Sequence, residues 1–426
     1  MSMGATKCSD PAPAAWKGSY AILSAVLTVY DGVLADEGSQ LFLACRAEPE
    51  NEAPRARLFH ILAREAELSP EKLVGNAWQN HLLDRLVHDE NAFSLKAQRG
   101  GTEAMGPALL AAVKGDLAEL QRMFDEDLGL GELVPAGDRE PQPIKRDLAE
   151  AHDWRTMLEP LAEHYRQHGT GILAEHRAFR WNALQGELQP VLSPDPVRLE
   201  ELYTYDTERE LLLANTEHFL AGYPANNVLL YGERGTGKSS TVKALLQRYP
   251  SLKMIEIAPA ELVDLPRLLP HLAANPARFI LFVDDLSFDE MELQYKHLKA
   301  VLEGGLESRP DNVVIYATSN RRHLVKERFS DLTKPIINDE IHHQDTVEEK
   351  LSLSDRFGIT LTFVTPDQER YLTIVREIAR TRGLTLDAQD LRMRAIRWAM
   401  YHNGFSGRTA RQFVDFLQGE LALTSS

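Results

Sequence analysis

The sequence predicts an α/β fold with a parallel-sheet core, followed by a small helical domain and preceded by a mostly α-helical domain. Between residues 199 and 364, short apolar runs alternate with helical patterns, which is typical of a parallel sheet covered by helices on both faces. Helical spacing dominates before and after this region, from about residue 15 to 185 and from 365 onward. We expect a helical N-terminal domain over 1–188, a linker over 189–198, the core over 199–364 and a helical domain over 365–426.

The N-terminal domain is expected to consist of amphipathic helices. Their apolar faces lie in the stretches 20–34, 56–68, 75–93 and 106–128. Ser69 and Pro70 are the predicted cap and start of the third of these helices. The domain holds no catalytic motif, so we expect it only to bind a protein partner or client. The linker is predicted from the three prolines between Gln189 and Leu202.

Five apolar runs are the predicted strands of the core. They are NVLLY (227–231), KMIEIA (253–258), RFILFVDD (278–285), NVVIYATSN (312–320) and ITLTFV (359–364). Three helical runs complete the chain, at 366–383, 387–404 and 407–421. Because ligands of open parallel sheets bind at the carboxyl ends of the strands, the residues that follow each strand are the candidates for chemistry.

The first candidate is the loop from Gly232 to Ser239, which has the phosphate-binding spacing G-x-x-x-x-G-K-[ST] between a strand and a helix. Glycines let the backbone amides turn toward one anion, and the following helix adds the positive end of its dipole. Lys238 is expected to reach the β- and γ-phosphates, and Ser239 to ligate Mg²⁺. The predicted nucleotide-binding residues are Gly232, Gly235, Thr236, Gly237, Lys238, Ser239 and Ser240.

Polar side chains at the ends of two further strands are the next candidates. Asp284 is expected to hold Mg²⁺, directly or through water, and Asp285 to orient or deprotonate the attacking water. The alternative is a pair of acids that only caps a helix. Asn320 is expected to reach the water or the γ-phosphate because its amide both donates and accepts. A turn-initiating asparagine is the alternative there.

Two arginines are candidates for contact with the phosphates, Arg356 to stabilise transition-state charge and Arg408 to report on closure of the helical lid. Arg356 precedes the last strand, where it is expected to reach the γ-phosphate of a neighbouring subunit, with Arg328 as its rival. Arg408 starts the last helix and is expected to lean over the phosphates, with Arg411 as its rival. Surface arginines without such a role are the alternative for both positions.

The composition limits the classes of partner. The net charge of −16 and the pI of about 5.4 argue against general nucleic-acid binding, which needs a basic surface. Cys8 and Cys45 make neither a disulfide framework nor a zinc site, which fits a cytoplasmic location. The uncharged run Gly18–Tyr30 is shorter than the roughly 20 residues of a membrane span.

These motifs, in this order, resemble an AAA+ ATPase, and the match extends to one family. The stretches RLEELYTYDTERE, FILFVDDLSFDEMELQYKHLKAVLEGG and EEKLSLSDRFGI are similar to the bacterial AAA+ family known as domain of unknown function 815. The resemblance covers Leu199 to about Phe416, and more loosely the N-terminal half. It implies ATP binding without giving a cellular task, and it implies that Tyr205 and Asp206 lie near the adenine.

Two features depart from many AAA+ motors. The acidic pair is Asp284–Asp285, where those motors have Asp-Glu, so the second carboxylate is one methylene shorter. The segment after the second strand, PAELVDLPRLLPHLAANPARF, lacks the aromatic–apolar–glycine loop that grips polypeptide in threading motors. The first departure concerns the hydrolysis rate, and the second argues against a protein-threading motor.

Three functions are compatible with the sequence. The first is an ATPase that uses Mg²⁺, assembles into a nucleotide-dependent homo-oligomer and remodels an unidentified partner. The second is an ATP-gated switch or loader with slow hydrolysis that acts as a binding scaffold. A small-molecule kinase is the third and fits least, because it leaves Asn320 and Arg408 unexplained.

Overall fold

The computed structural model describes residues 27–131, 133–286, 298, 302, 309–320, 356–402 and 404–424. The chain divides into two compact units, Met1–Glu175 and His176–Ser426. None of the helices in these described ranges is long and apolar enough to cross a membrane.

The described part of the first unit is built mainly from helices, as predicted. They are α1 (Glu37–Ala47), α2 (Glu52–Leu68), α3 (Ala77–His88), α4 (Ala92–Gly100), α5 (Pro107–Asp125), α6 (Pro143–Glu150), α7 (Leu158–His168) and α8 (Gly171–Glu175). Side chains of Asp36, Asn51, Asn76 and Asn91 begin the first four helices by accepting backbone N–H hydrogen bonds. The buried core includes Phe42, Trp78, Phe93, Trp154 and Tyr165.

A buried histidine ties the first three helices together. His81 Nδ1 lies 2.7 Å from Glu65 Oε2, and its Nε2 lies 3.1 Å from Asp36 Oδ1. Burial lowers the pKa of His81, but the hydrogen bonds to Asp36 and Glu65 outweigh it and raise the pKa to about 9. His81 is therefore a charged imidazolium at neutral pH and cannot act there as a general base.

Two expectations for the first unit are wrong. The helix expected over 20–34 is not formed in its described part. There, the backbone N–H groups of Thr28, Val29 and Tyr30 donate to the buried carboxylate of Asp116, and a 3₁₀ turn follows at Asp31–Leu34. The side chain replaces the carbonyls that a helix would supply. Ser69 follows the end of α2, and α3 begins after Asn76 in a capping box with Gln79.

The second unit is organised around a seven-stranded sheet. Its strands are β1 (Ala178–Asn182), β2 (Glu187–Pro190), β3 (Val228–Gly232), β4 (Leu252–Glu256), β5 (Arg278–Val283), β6 (Val313–Ser319) and β7 (Ile359–Phe363). The order is β2-β1-β4-β5-β6-β3-β7, and every pairing is parallel except that between β1 and β2. The five predicted strands are confirmed as β3 to β7. The buried apolar runs of β3 to β6 are typical of a sheet covered on both faces, whereas β7 is only partly buried.

The hairpin of β1 and β2 differs from the expectation of helix up to residue 185. Phe179 and Trp181 are buried on either side of the exposed Arg180, which is the alternation of a strand. Ala178 pairs with Met254, so the hairpin extends the sheet beyond β4. Part of the segment expected to be a linker therefore belongs to the sheet, and the two units separate at residues 175–176.

Six helices accompany the sheet in the described part of the second unit. They are α9 (Asp206–Leu220), α10 (Lys238–Arg248), α11 (Leu265–Ala273), α12 (Gln368–Thr381), α13 (Ala388–Tyr401) and α14 (Gly407–Thr424). The last three pack on one another around Tyr371, Val375, Ala395 and Phe413, and form the predicted helical lid. The chain thus has the predicted α/β class, a mostly parallel sheet with a helical lid after it in the sequence and a helical region before it.

Candidate functional site

The phosphate-loop candidate bends between β3 and α10. Gly232, Gly235 and Gly237 all have positive φ angles, of 148°, 79° and 95°. At Gly232 a Cβ atom would lie 2.0 Å from the carbonyl oxygen of Phe363, so the two neighbouring strand ends approach too closely for any side chain. The loop is therefore shaped by the glycines that the motif requires.

Lys238 is the first residue of α10 and is only 5% exposed. Its Nζ donates to the carbonyl oxygens of Gly232 and Glu233, each at 2.8 Å, and to Asn320 Oδ1 at 2.9 Å. Burial lowers its pKa to about 8, and the nearby charges of Asp284 and Asp285 act in the opposite direction. The ammonium group is thus held at the centre of the loop by three oxygen acceptors.

Asp284 follows β5 and joins the loop to the neighbouring strand. Its Oδ1 accepts hydrogen bonds from Ser239 Oγ and from Thr318 Oγ1, each at 2.6 Å. The strand order explains this meeting, because β6 lies between β3 and β5 and all three end at the same edge. A carboxylate and a hydroxyl oxygen side by side are suitable ligands for Mg²⁺.

Asp285 and Asn320 form a second contact at this edge. Asn320 Nδ2 donates to Asp285 Oδ1, and the backbone N–H of Asp285 donates to Thr318 Oγ1 at 2.9 Å. Asp285 has a φ of 53°, a left-handed conformation that aspartate tolerates better than most residues. Its carboxylate is therefore turned by the backbone and held by Asn320, close to Lys238.

The helical lid contacts the loop through the start of α14. The backbone N–H of Arg408 donates to the carbonyl oxygen of Gly235 at 3.3 Å. One turn later, Arg411 lies 3.6 Å from Glu201, which belongs to the 3₁₀ turn Leu199–Glu201 before α9. The lid thus meets both the loop and the segment that precedes the core.

A cavity of about 620 Å³ joins these groups, a size typical of small-molecule sites. Of the predicted residues, it is lined by Tyr205, Gly235, Thr236, Gly237, Lys238, Ser239, Ser240, Asp284, Asp285, Asn320 and Arg408. Gly232 contributes through its carbonyl oxygen to Lys238. Asp206 is outside the lining and forms an ion pair with Arg209.

Tyr205 lies at the entrance to α9. Its hydroxyl donates to the carbonyl oxygen of Val364, and its ring is 4.7 Å from that of Phe363, centroid to centroid. Burial raises the pKa of Tyr205 to about 12, so the phenol is neutral at physiological pH. These two contacts attach the start of α9 to the end of β7.

Arg356 is not brought to this cavity. It precedes β7, whereas Phe363 at the other end of β7 pairs with Gly232 of the phosphate loop. The length of the strand therefore separates Arg356 from the loop of its own chain. Its rival Arg328 lies outside the described residues. Arg411 does line the cavity, beside Arg408.

Sequence reasoning missed two groups of the site. Thr318 bridges Asp284 and the backbone of Asp285, and its signal was a polar residue two positions before Asn320 at the end of a buried strand. Glu233 was treated only as a spacer of the motif, but its side chain accepts a hydrogen bond from Thr365, just before the lid. Nothing in the local sequence indicates that second contact.

Comparison with known proteins gives one family match. The model of the family described as Protein of unknown function (DUF815) matches residues 174–421. No match was found among curated proteins. Among solved structures, a variant of Thermotoga maritima RuvB is 17% identical with a TM-score of 0.39, covering 54% of this chain and 67% of its own. A second, titled as the Thermotoga maritima RuvB Holliday junction branch migration motor, is 18% identical with a TM-score of 0.37 and the same coverage.

Proposed function

The chain belongs to the family described as Protein of unknown function (DUF815), and we propose that it is a Mg²⁺-dependent ATPase of the AAA+ class that couples ATP hydrolysis to a conformational change acting on a protein partner. The observation that carries this proposal is the meeting of Lys238, the Ser239–Asp284 pair and the Asp285–Asn320 pair in one cavity. A cation, an oxygen pair suited to a metal and a carboxylate base are the groups that phosphoanhydride hydrolysis requires.

The loop binds the triphosphate in this proposal. The backbone N–H groups from Gly235 to Ser240 and the positive end of α10 stabilise phosphate oxygens. Lys238 exchanges its carbonyl acceptors for the β- and γ-phosphate oxygens. The lysine is pre-positioned by Gly232 and Glu233, so it loses little conformational freedom when the nucleotide binds.

The residues present fit a magnesium ion. Ser239 Oγ and Asp284 Oδ1 are 2.6 Å apart and are both hard oxygen ligands. Among the described residues there is no group of three or more His, Cys, Asp or Glu side chains suited to a metal, and Mg²⁺ needs none, because substrate phosphates and water complete its shell. The bound ion would neutralise charge on the phosphates. Thr318 keeps Asp284 oriented toward Ser239.

Asp285 is the proposed base for the attacking water, and Asn320 is the proposed positioning residue. Asn320 Nδ2 holds the carboxylate of Asp285, while its oxygen accepts from Lys238. A γ-phosphate that draws Lys238 away leaves the amide able to bind the water as well. Arg408, at the start of the lid, also lines the cavity and would add positive charge near the phosphates.

We propose nucleotide-dependent self-association because Arg356 lies away from its own phosphate loop. β7 is at one end of the strand order in the described part of the sheet, and Arg356 lies three residues before its start. Arg356 would then supply the transition-state charge to the site of that neighbour. The first unit, with its separate helical core, is the proposed binding surface for a protein client, in the cytoplasm and without general nucleic-acid binding.

A second candidate is an ATP-gated switch that hydrolyses slowly. It is favoured by Asn320, which engages both Lys238 and Asp285. A carboxylate that is already hydrogen-bonded accepts a proton from water less readily. In this case ATP binding itself changes the lid and displays the partner surface, and hydrolysis only resets it.

The test is ATP turnover per chain, with Mg²⁺ present, as the protein concentration is raised. A rise with concentration supports shared sites, and the Lys238→Ala variant is expected to lose nucleotide binding altogether. Lys114→Ala, an exposed lysine of α5, is the matched control and is expected to behave as the wild type. Unchanged ATP affinity in Lys238→Ala would exclude the proposed site. Binding with flat, near-zero turnover would favour the switch.

A further inference from the structure

One residue of the phosphate loop has a side chain that the proposed chemistry does not use. Glu233 occupies a spacer position of the motif, and it does not line the cavity, although its neighbour Arg234 does. The backbone of Glu233 belongs to the loop, because its carbonyl oxygen accepts from Lys238 Nζ at 2.8 Å and from Thr236 Oγ1 at 2.9 Å. Its carboxylate accepts a hydrogen bond from the hydroxyl group of Thr365. Glu233 therefore joins the loop to the segment before the lid.

Thr365 lies in the short connection between β7 and α12. β7 ends at Phe363, and the side chain of Asp367 begins α12 by accepting from the backbone N–H of Arg370 at 2.8 Å. Three residues separate Phe363 from Asp367, and one of them is Pro366. The proline ring fixes its own φ and biases Thr365 toward an extended conformation. A connection this short and stiff transmits the position of Thr365 to the first turn of α12.

The loop holds the lid at a second point, two residues further along. The carbonyl oxygen of Gly235 accepts from the backbone N–H of Arg408 at the start of α14. A Cβ atom on Gly235 would lie 3.0 Å from Ser406 Oγ, so the loop and the residues around the start of α14 are closely packed. One attachment leaves a group of helices free to turn about it, whereas two attachments fix its direction. The contacts of Glu233 and Gly235 together therefore set the orientation of the lid on the loop.

The helices of the lid carry this orientation to Arg408. α12 and α14 share one buried core, to which Val375 and Phe413 contribute. Because a closely packed core resists deformation, the two helices move as one body. The charge of Arg408 also reaches the loop. Burial lowers the pKa of Lys238 to about 8, and the charge of Arg408 acts in the same direction. The position of Arg408 thus affects the charge that a bound phosphate meets.

We propose that Glu233 is a positioning residue. Through its hydrogen bond to Thr365 it sets the angle of the lid and so holds the guanidinium group of Arg408 where it meets the γ-phosphate of a bound nucleotide. This inference rests on the proposed ATP site and deepens it, because it assigns a residue that controls the discrimination between triphosphate and diphosphate. Glu233 itself would not touch the nucleotide, since its carboxylate is bonded to Thr365 and does not line the cavity.

The test is equilibrium binding of AMP-PNP and of ADP, each with Mg²⁺, to the full chain. AMP-PNP carries a γ-phosphate and is not hydrolysed, so the ratio of the two affinities measures the contacts of that phosphate without requiring turnover. Glu233→Ala and Thr365→Val remove the same hydrogen bond. We expect each to lose about fivefold in AMP-PNP affinity and less than about twofold in ADP affinity. Thr365→Val is nearly isosteric, so it gives the answer even if Glu233→Ala does not fold.

Three variants test whether the hydrogen bond is the cause. Glu233→Gln removes the charge but keeps an oxygen acceptor, and Thr365→Ser keeps the donor. Both are expected to stay within about twofold of the wild type for both nucleotides. Thr373→Val is the matched control on α12, where Thr373 Oγ1 donates to the carbonyl oxygen of Glu369 in its own helix at 2.9 Å. It is expected to bind both nucleotides as the wild type does.

A double variant tests whether Glu233 acts through Arg408. The Arg408→Ala variant is expected to lose AMP-PNP affinity selectively, because the γ-phosphate loses a positive charge. Adding Glu233→Ala to Arg408→Ala is expected to cause no further loss, since two residues that act through one contact are not additive.

Four results would overturn the proposal. They are a wild-type ratio of affinities in Glu233→Ala and Thr365→Val, an equal loss for both nucleotides, a loss in Glu233→Gln as large as in Glu233→Ala, and additive losses in the double variant with Arg408→Ala. Failure of the ATP site itself would look different, because the wild type would then bind neither nucleotide, or Lys238→Ala would bind both normally. In those cases the role of Glu233 falls together with the site.

Discussion

Lys238 Nζ donates a hydrogen bond to Asn320 Oδ1 at 2.9 Å, which joins the first residue of α10 to the end of β6. The other half of the same amide donates to Asp285. A single side chain therefore sets the separation between the phosphate-binding cation and the proposed base.

The Asn320→Ala variant is expected to lower ATP turnover by about 100-fold, because the base and the water lose their positioning amide. ATP affinity is expected to change by less than about threefold, since Lys238 keeps two carbonyl acceptors and the loop is intact. The Asn320→Asp variant separates the two contacts, because a carboxylate can accept a hydrogen bond from Lys238 but cannot donate one to Asp285. Single-turnover hydrolysis and equilibrium binding separate the two effects, and wild-type turnover in Asn320→Ala would contradict the assignment.

The Asp285→Asn variant is expected to lose at least about 100-fold in turnover while binding ATP normally. Asparagine has the same size and tolerates the left-handed φ of 53° at this position, so the backbone is preserved and only the base is removed. Asp284→Asn is the comparison, and it is expected to raise the Mg²⁺ concentration needed for binding. A magnesium titration of both variants measures the difference. If Asp285→Asn turns over ATP like the wild type, another group is the base.

Nucleotide affinity is expected to fall as the pH rises through about 8. Burial lowers the pKa of Lys238 from 10.5 to about 8, so the free lysine loses its charge above that pH. Bound phosphates raise this pKa again, and binding at pH 8 to 9 must therefore take up a proton. Calorimetry in two buffers of different ionisation enthalpy measures the uptake. Lys238→Arg stays charged and is expected to show none. Absence of uptake in the wild type would contradict the lowered pKa.

The Gly232→Ala variant is expected to be destabilised by about 2–4 kcal/mol, since its Cβ would lie 2.0 Å from the backbone oxygen of Phe363. Gly419→Ala, on α14 of the same unit, is the control. No atom lies within 4 Å of a Cβ there, and the change is expected to stabilise the helix by about 0.5–1 kcal/mol. Chemical denaturation measures both. Equal stability of the two variants would mean that β3 and β7 can separate at their ends.

The site was predictable where its chemistry is contiguous in the sequence. The residues from Gly235 to Ser240 are consecutive, in the loop and the first turn of α10, and Asp284 and Asn320 directly follow buried apolar strands. Parallel pairing then brings the strand ends together without further information. What could not be predicted depends on distant partners. The backbone of the first described residues donates to Asp116, which lies 86 positions beyond Tyr30. The local sequence around Tyr30 does not indicate so distant a contact.

Thr204 and β1 illustrate two other limits. Thr204 has a φ of 75°, and the hydrogen bonds that its neighbours make to Thr381 and Val364, far along the chain, hold this left-handed turn. A threonine is not a residue that predicts such a turn. The five residues of β1 are too short to show a period by themselves, and they become a strand because β4 offers a free edge.

The contact between Arg411 and Glu201 has a kinetic consequence. The pair is 3.6 Å apart with both side chains more than 40% exposed, and it links the lid to the chain that precedes the core, with both residues lining the cavity. Such a pair contributes at most about 1 kcal/mol and weakens as salt screens it. The residence time of a nucleotide should therefore shorten by up to about fivefold with rising ionic strength, even where its equilibrium contacts with the loop are unchanged.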